Sequence, residues 1–252
     1  MKEEVTLFQE ISTNAWPAMN LSFLNGWIIR LGDGYTRRAN SVLPLRYSGK
    51  NIDKDIKVVE DFYKKYNLPS VFQIPDYCEP NNLKKILLKL DYQEIDESIL
   101  MASEISILKE IPINDLFSYT LEIDFSEKFF SNFGRLTNRS SSLILKNQNI
   151  IKRILFSKAF AIACKQNEVI GLCLGVLERE HIGIYDMFVS PEYRRQGIGK
   201  ALLNELILWG KNNGATTAYL QVQGDNSGAI ALYKKIGLTD RYHYRYLVKK
   251  FE

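Results

Sequence analysis

The segment Met187-Phe188-Val189-Ser190-Pro191-Glu192-Tyr193-Arg194-Arg195-Gln196-Gly197-Ile198-Gly199-Lys200 runs from an apolar strand, through a proline and a basic turn, to two glycines spaced i, i+2. An amphipathic helix follows, with Ala201, Leu202, Leu203, Leu206 and Ile207 as its apolar positions. Glycine lets the backbone turn sharply and approach a ligand without a Cβ clash. The N–H groups of the loop and of the helix's first turn then point to one place, where the helix dipole adds partial positive charge. Arg194, Arg195 and Lys200 add full charges. The pattern predicts a site for a phosphate-bearing ligand, built mostly from backbone. Gly197-Ile198-Gly199-Lys200 lacks the third glycine of a dinucleotide loop and the Gly-x-x-x-x-Gly-Lys-Ser/Thr order of a P-loop.

Working outward, strands are expected at 159–164, 168–177 and 182–189, and the last of these enters the loop. The helix at 198–212 precedes a strand over Thr217 to Val222, a helix at about 226–236 and a final strand at about 240–249. Upstream, helical stretches are expected at about 126–134 and 142–156. The region 108–118, with Pro112, Asn114 and Asp115, reads as a linker. Before it, residues 3–14 read as a short helix, Gly26 to Leu31 as a strand and Arg38 to Leu45 as a second strand. The Asp33-Gly34 pair between those runs is a hairpin signal. Ile56, Val59, Phe62, Tyr63 and Tyr66 have helical spacing, as do Leu83, Ile86, Leu87 and Leu90. Val71 to Ile74 and Ile99 to Ile107 read as strands. Alternating strands and helices indicate an α/β or α+β sheet packed by helices.

An internal repeat organises this order. Val42-x-Pro44 corresponds to Val189-x-Pro191, Phe72-Gln73-Ile74 to Leu220-Gln221-Val222, and Leu90-Asp91-Tyr92 to Ile236-Gly237-Leu238, at offsets of 147, 148 and 146. Three matches in the same order of elements suggest two copies of one fold. The first copy has no helix pair matching 126–156. Its counterparts of Gly197 and Gly199 are Lys50 and Ile52, so the phosphate loop belongs to the second copy alone.

With 252 residues the chain is long enough for two ordinary domains. The composition is that of a soluble globular protein, and a net charge of +4 suits an anionic ligand without pointing to nucleic acid. Cys78, Cys164 and Cys173 are odd in number and widely spaced, with no CxxC and only two histidines, which argues against zinc and a disulfide framework. No apolar run reaches the roughly 18 residues of a membrane span. Met1-Lys2-Glu3-Glu4 lacks a basic signal-peptide start. The expectation is a cytoplasmic protein with no nucleic-acid or membrane partner and no metal.

Three features combine in the second half: Arg194-x-x-Gly197-x-Gly199 after a strand, Gln223-Gly224-Asp225-Asn226 after the next, and Ala229-x-Ala231-Leu232-Tyr233-Lys234-Lys235-Ile236-Gly237-Leu238. Together they resemble the GNAT superfamily of acyl-CoA N-acyltransferases. That family carries an Arg/Gln-x-x-Gly-x-Gly/Ala loop, then an Asn, then an Ala-x-x-Leu-Tyr-x-x-x-Gly-Phe-like segment; Leu238 here replaces the usual Phe. The match covers roughly residues 119–249. The first half resembles a degenerate copy, as in tandem GNAT proteins. Trp16-Pro17-Ala18, Gly26-Trp27 and Arg37-Arg38-Ala39-Asn40-Ser41-Val42 resemble a leader of some bacterial members. The resemblance implies two GNAT-like domains, each a mixed, mostly antiparallel sheet packed by helices: 1–112 degenerate and 113–252 catalytic.

The resemblance also implies acetyl-CoA as acyl donor and an amine, on a small molecule or a peptide, as acceptor. Met187, Phe188 and Val189 carry over as backbone partners of the pantetheine arm, an interaction akin to strand addition. Arg194, Arg195, Gln196, Gly197, Ile198, Gly199 and Lys200 carry over as the pyrophosphate loop, and Asn226 as a contact to the arm. Tyr233 carries over as general acid: a phenol with a pKa of about 10 stays protonated at neutral pH and can donate to a departing thiolate. Its counterpart in the first copy is Leu87, which cannot. The base departs from the pattern. Several members use a Glu where this chain has Gln221, and Asp186 on the opening strand is the nearest alternative; a water chain or an amine of low pKa would also serve. Loss of the base leaves open a second function, a non-catalytic CoA-binding or partner-binding protein. Tyr242, Tyr244 and Tyr246 alternate with Arg241, His243 and Arg245, as expected of a half-buried strand with one aromatic and one solvated face.

Overall fold

The computed structural model describes residues 1–109 and 116–251. Among them are eleven strands and seven α-helices, grouped into two compact units, Met1–Ile99 with Tyr242–Glu252 and Leu100–Arg241. The sheet pairing is mostly antiparallel, as expected. The boundary expected between 112 and 113 lies outside the described residues, as does most of the expected linker.

The N-terminal unit begins with α1 (Lys2–Ala15), followed by β1 (Asn20–Leu24) and β2 (Trp27–Leu31). These strands form a hairpin in which Leu24 faces Trp27. The two-residue turn is Asn25-Gly26, with φ of 47° and 92°, the left-handed pair that such a hairpin requires. The antiparallel pair expected around Asp33-Gly34 forms between β2 and β3, but through a long connection and not a tight turn. Arg37–Ala39 forms a 3-10 turn within it, and β3 is only Val42–Leu43, antiparallel to β2. Next come α2 (Ile52–Lys65), β4 (Ser70–Pro75), α3 (Leu83–Lys89) and β5 (Gln93–Glu104). The chain's last strand, β11 (Thr239–Lys249), completes this unit by pairing antiparallel with β4 from Tyr244↔Pro75 to Lys249↔Ser70. Trp27, Val42, Ile56, Val59, Tyr63, Phe72, Leu83, Leu87 and Leu247 form its core.

The C-terminal unit takes over at Leu100. Ser103 Oγ donates to the Gly237 carbonyl (2.7 Å), and Ile105 N donates to the Thr216 carbonyl (2.8 Å). Its edge strand β6 (Ser118–Ile123) had no counterpart in the sequence expectation. Then come α4 (Glu127–Thr137), α5 (Ser141–Lys152), β7 (Ser157–Lys165), β8 (Glu168–Glu178), β9 (His181–Val189), α6 (Ile198–Asn212), β10 (Thr217–Gln223) and α7 (Ser227–Ile236). β6 to β9 form an antiparallel meander, and β9 pairs parallel with β10. Two helices cover the sheet for identifiable reasons. On α4, Phe129, Phe130 and Phe133 fall on one face, and Phe129 and Phe130 pack edge-on against Phe160 of β7. On α6, Gly210 permits close approach: a Cβ there would lie 2.9 Å from the Ile182 Cβ of β9.

The repeat is visible in the element starts. α2 begins at Ile52 and α6 at Ile198, β4 at Ser70 and β10 at Thr217, β5 at Gln93 and β11 at Thr239, offsets of 146, 147 and 146.

Leu247 is fully buried in the core of the N-terminal unit. Leu247→Ala is therefore expected to cost about 2–5 kcal/mol of that unit's stability. Urea unfolding followed by circular dichroism measures it, and a loss under about 1 kcal/mol would contradict the placement of β11.

Candidate active site

The site begins where β9 parts from β10. Their parallel pairing runs from His181↔Thr217 to Ile184↔Leu220 and stops, although β9 continues to Val189 and β10 to Gln223. On the other edge of β9 the register slips at the same level: Leu174 faces Tyr185, but Leu172 faces Phe188. Asp186 and Met187 thus oppose the single residue Cys173, which makes a β-bulge. Asp186 takes a left-handed φ of 46°, which aspartate tolerates better than most side chains. A bulge bends and twists its strand. Met187, Phe188 and Val189 consequently keep β8 on one edge and turn away from β10 on the other, all half-buried.

Beyond Val189 the chain makes a 3-10 turn at Pro191–Tyr193. Arg194 is extended, with its Nε donating to the Val189 carbonyl at 3.1 Å and its guanidinium 5.8 Å from the Phe188 ring. Arg195 and Gly197 are left-handed, at φ of 63° and 88°. Gly197 is the N-cap of α6, and no side chain caps this helix. The first intrahelical bond runs from Ala201 N to Gly197 O (3.1 Å), which leaves the amides of Ile198, Gly199 and Lys200 without helical acceptors. A Cβ on Gly197 would meet nothing within 4 Å, so the space around it is open. A Cβ on Gly199 would touch Leu232 at 3.4 Å and Val189 at 3.8 Å, so the end of β9, the start of α6 and α7 converge there.

The matching helix of the N-terminal unit is built differently. At the head of α2 the Asn51 side chain accepts from Lys54 N at 3.0 Å, filling the position that is open on α6. The corresponding position on α3 to Tyr233 is Leu87, a fully buried core residue.

Asn226 is the N-cap of α7, its Oδ1 accepting from Ala229 N at 3.1 Å. Two turns later Tyr233 is buried, 7% exposed. Burial, with the nearby Cys173 thiol as a second cause, pushes its phenol well above the ordinary value of 10. Cys173 is itself fully buried, and burial together with the Asp186 carboxylate holds its thiol far above the usual range. The same cysteine therefore has electrostatic contact with both Asp186 and Tyr233. Gln221 is half-buried on β10, just beyond the end of its pairing with β9.

One residue of this region had no place in the sequence expectation. Asn147 on α5 is completely buried, and its Nδ2 donates to Asp186 Oδ2 at 2.7 Å. The signal was present: 147, 150, 151 and 154 lie on one helical face, and the other three are isoleucines. His243 belongs to a cluster of the N-terminal unit, with Nδ1 2.9 Å from Glu97 Oε1 and Arg245 ion-paired to Glu94 and Glu97. Tyr242, Tyr244 and Tyr246 are buried, as expected of the aromatic face of β11. Among the described residues no group of three or more His, Cys, Asp or Glu could hold a metal ion, and no helix is long and apolar enough to cross a membrane.

The family described as "Probable histone acetyltransferase Rv0428c C-terminal" matches residues 4–247. The chain belongs to this acetyltransferase family and to the GNAT superfamily. It is 27% identical over 250 residues to "Uncharacterized N-acetyltransferase YobR" of Bacillus subtilis, covering 98% of this chain and 100% of that one. A GCN5-related N-acetyltransferase from Kribbella flavida has the same fold at 11% identity, with a TM-score of 0.74 over 98% of this chain and 95% of its own. A tandem GNAT protein from the clavulanic acid biosynthesis pathway aligns at 8% identity with a TM-score of 0.67, covering 79% and 69%. The GNAT assignment made from the loop and the Ala-Leu-Tyr segment is thus shown, as is acyltransferase activity for the family.

The local geometry predicts how the loop tolerates change. Gly197→Ala meets open space and is penalised only by its left-handed φ, about 1–2 kcal/mol. Gly210→Val drives Cβ into Ile182 and must lift α6 from β9. Thermal melts should show Gly210→Val lowering the midpoint by clearly more than Gly197→Ala; the reverse order would contradict this packing.

Proposed function

We propose that the C-terminal unit transfers acetyl from acetyl-CoA to a primary amine by direct attack in a ternary complex. The observation that carries this reading is the coincidence of an open strand edge at 187–189 with an uncapped helix start at 198–200. The amides of α6 and the open approach at Gly197, with Arg194, Arg195, Gln196 and Lys200 around them, fit a pyrophosphate. The edge of Met187, Phe188 and Val189 fits the amides of a pantetheine arm, which would take the place of the missing strand partner. Asn226, at the head of α7, keeps its Nδ2 for the same arm while Oδ1 caps the helix. The N-terminal unit, with Asn51 in place of an open helix start and Leu87 in place of a tyrosine, is a degenerate copy that supports the structure without holding a second donor.

Asp186 accepts the amine proton. The attacking nitrogen becomes strongly acidic as its bond to the thioester carbon forms, so an ordinary carboxylate suffices as acceptor. Tyr233 returns a proton to the departing sulfur when the tetrahedral intermediate collapses. Burial keeps the phenol in its protonated, donor form throughout the neutral and mildly alkaline range. A covalent acetyl-cysteine route is disfavoured. The cysteine nearest the site, Cys173, is held as the thiol by burial and by Asp186, and the thiolate is the nucleophilic form.

Tyr233→Phe is expected to lower kcat at least about 100-fold and to change the Kd for acetyl-CoA by less than about threefold. Release of free thiol from acetyl-CoA, with spermidine, lysine-bearing peptides and alanine-terminated peptides as acceptors, measures turnover; calorimetry measures Kd. Unchanged turnover in the variant removes Tyr233 from the mechanism. Donor binding without acceptor-dependent thiol release across the panel would favour a non-catalytic CoA-binding protein, the reading that Gln221 in the usual Glu position keeps open.

A further inference from the structure

Asn147 has properties that packing does not account for. It is 0% exposed on the apolar face of α5, in register with Ile150 and Ile151. Its Nδ2 donates to Asp186 Oδ2 at 2.7 Å, while its Oδ1 is buried with no hydrogen-bond partner. An amide in the core with one end unsatisfied is worse for stability than leucine of similar volume. The satisfied end accounts for its presence. A flipped amide would set Oδ1 against the carboxylate, so Asp186 alone dictates which way Asn147 points.

Asp186 sits in a bulge, in a left-handed conformation, where ladder pairing with β8 is interrupted and pairing with β10 has ended. Its own strand sets such a residue less firmly than a ladder residue, and a donor from a separate, packed helix gives its carboxylate a fixed contact. We infer that Asn147 is the positioning residue for Asp186, fixing the direction of its carboxylate and favouring its ionised form before the amine arrives. This rests on the reading of Asp186 as proton acceptor, but the contact is testable apart from that reading.

Two titratable groups lie near Asp186: the Cys173 thiol of β8, which burial and then Asp186 keep protonated, and, next to that thiol, the Tyr233 phenol of α7. Tyr185 and Tyr219 engage each other's hydroxyls at 2.9 Å. On α4, Arg135 is directed to the Val169 carbonyl and to Glu168. A hydrogen bond to a carboxylate favours its charged form. Losing the Asn147 donor should therefore raise the protonation midpoint of Asp186.

The test is a pH titration of protein carrying 13C-labelled aspartate carboxyl groups, with the Asp186 resonance assigned by its loss in Asp186→Asn. Asn147→Leu should raise the Asp186 midpoint by about one pH unit or more. Asn147→Asp, nearly isosteric, should raise it further, because two adjoining carboxyls share a proton. In both variants kcat should fall with the Kd for acetyl-CoA unchanged, measured with spermidine and an alanine-terminated peptide. A midpoint unmoved in both, with only the melting temperature altered, overturns the inference and makes Asn147 structural. A raised midpoint in Asn147→Leu together with full activity of Asp186→Asn sustains the positioning contact and sinks Asp186 as proton acceptor.

Discussion

The parting of β9 from β10 after Ile184 is the constraint on which the rest of the C-terminal unit depends. Backbone N–H and C=O groups in a sheet interior are normally paired, and an edge without a partner is costly unless water or a ligand supplies one. In this unit the opening lies in the middle of the sheet rather than at its rim, because β9 pairs with β8 on both sides of its bulge while losing β10. The bulge at Asp186 and Met187 provides the bend, and the proline turn at 191–193 carries the chain from the open edge directly into α6. An unpaired strand edge and a helix start are thereby joined by eight residues. The contact of Gly199 with both Val189 and Leu232 brings α7, and so Tyr233, to the same end.

The two units show how one order of elements yields chemistry in one case and scaffold in the other. The difference lies in small substitutions at matched positions. At the head of α2, Asn51 satisfies a helix amide internally; at the head of α6, Gly197 does not. Leu87 contributes apolar volume where α7 has a phenol. The N-terminal unit places its polar groups differently. The buried Arg30 guanidinium donates to the Ser41 carbonyl and hydroxyl, to Gln73 Oε1 at 2.6 Å and to Thr13, and Gln73 in turn donates to Gln9. Burial lowers the pKa of this arginine, but every contact in the network is to a neutral acceptor. Such a buried network rigidifies the structure around it.

Most of this architecture was legible in residue periodicity and in the repeat. The helices at 52–65, 198–212 and 227–236 and the strands from 157 to 189 fall where apolar spacing put them, because each buries a well-marked face. Two strands were not expected. β1 and β6 both alternate polar and apolar residues, Asn20 to Phe23 and Ser118 to Ile123, but both are short and largely exposed, so their apolar positions mark no buried face; the Asn25-Gly26 turn is the stronger signal for the first. The extended reading of 38–45 failed because Asn40 folds the segment back on itself, its side chain bonding to the amides and carbonyls of the 32–36 turn. At the site, the loop and Tyr233 were readable as a linear motif. The bulge was not, since a register slip leaves no local pattern, and Asn147 was marked only as a polar residue on an apolar helical face, with nothing in the sequence to name its partner on a distant strand.

The distribution of local costs supports the same location. α2, α4, α5 and α7 each begin with a side chain that satisfies a helix amide, and such caps typically contribute about 1 kcal/mol. α6, the longest helix, forgoes one. Nearby, an aspartate is held in a left-handed conformation, and a buried asparagine oxygen has no partner, each a cost of about 1–3 kcal/mol. A sequence under selection for stability alone would remove all three with a Ser or Asp at the head of α6, an unbulged strand and a leucine at 147. Each feature also occurs elsewhere among the described residues, in the uncapped α1 and α3, in left-handed Asp33, Asp91, Asp96 and Asp124, and in buried polar atoms such as Tyr119 Oη. What sets these three apart is their position beside the open edge of β9 and the start of α6, where local departures from consistency serve binding and chemistry.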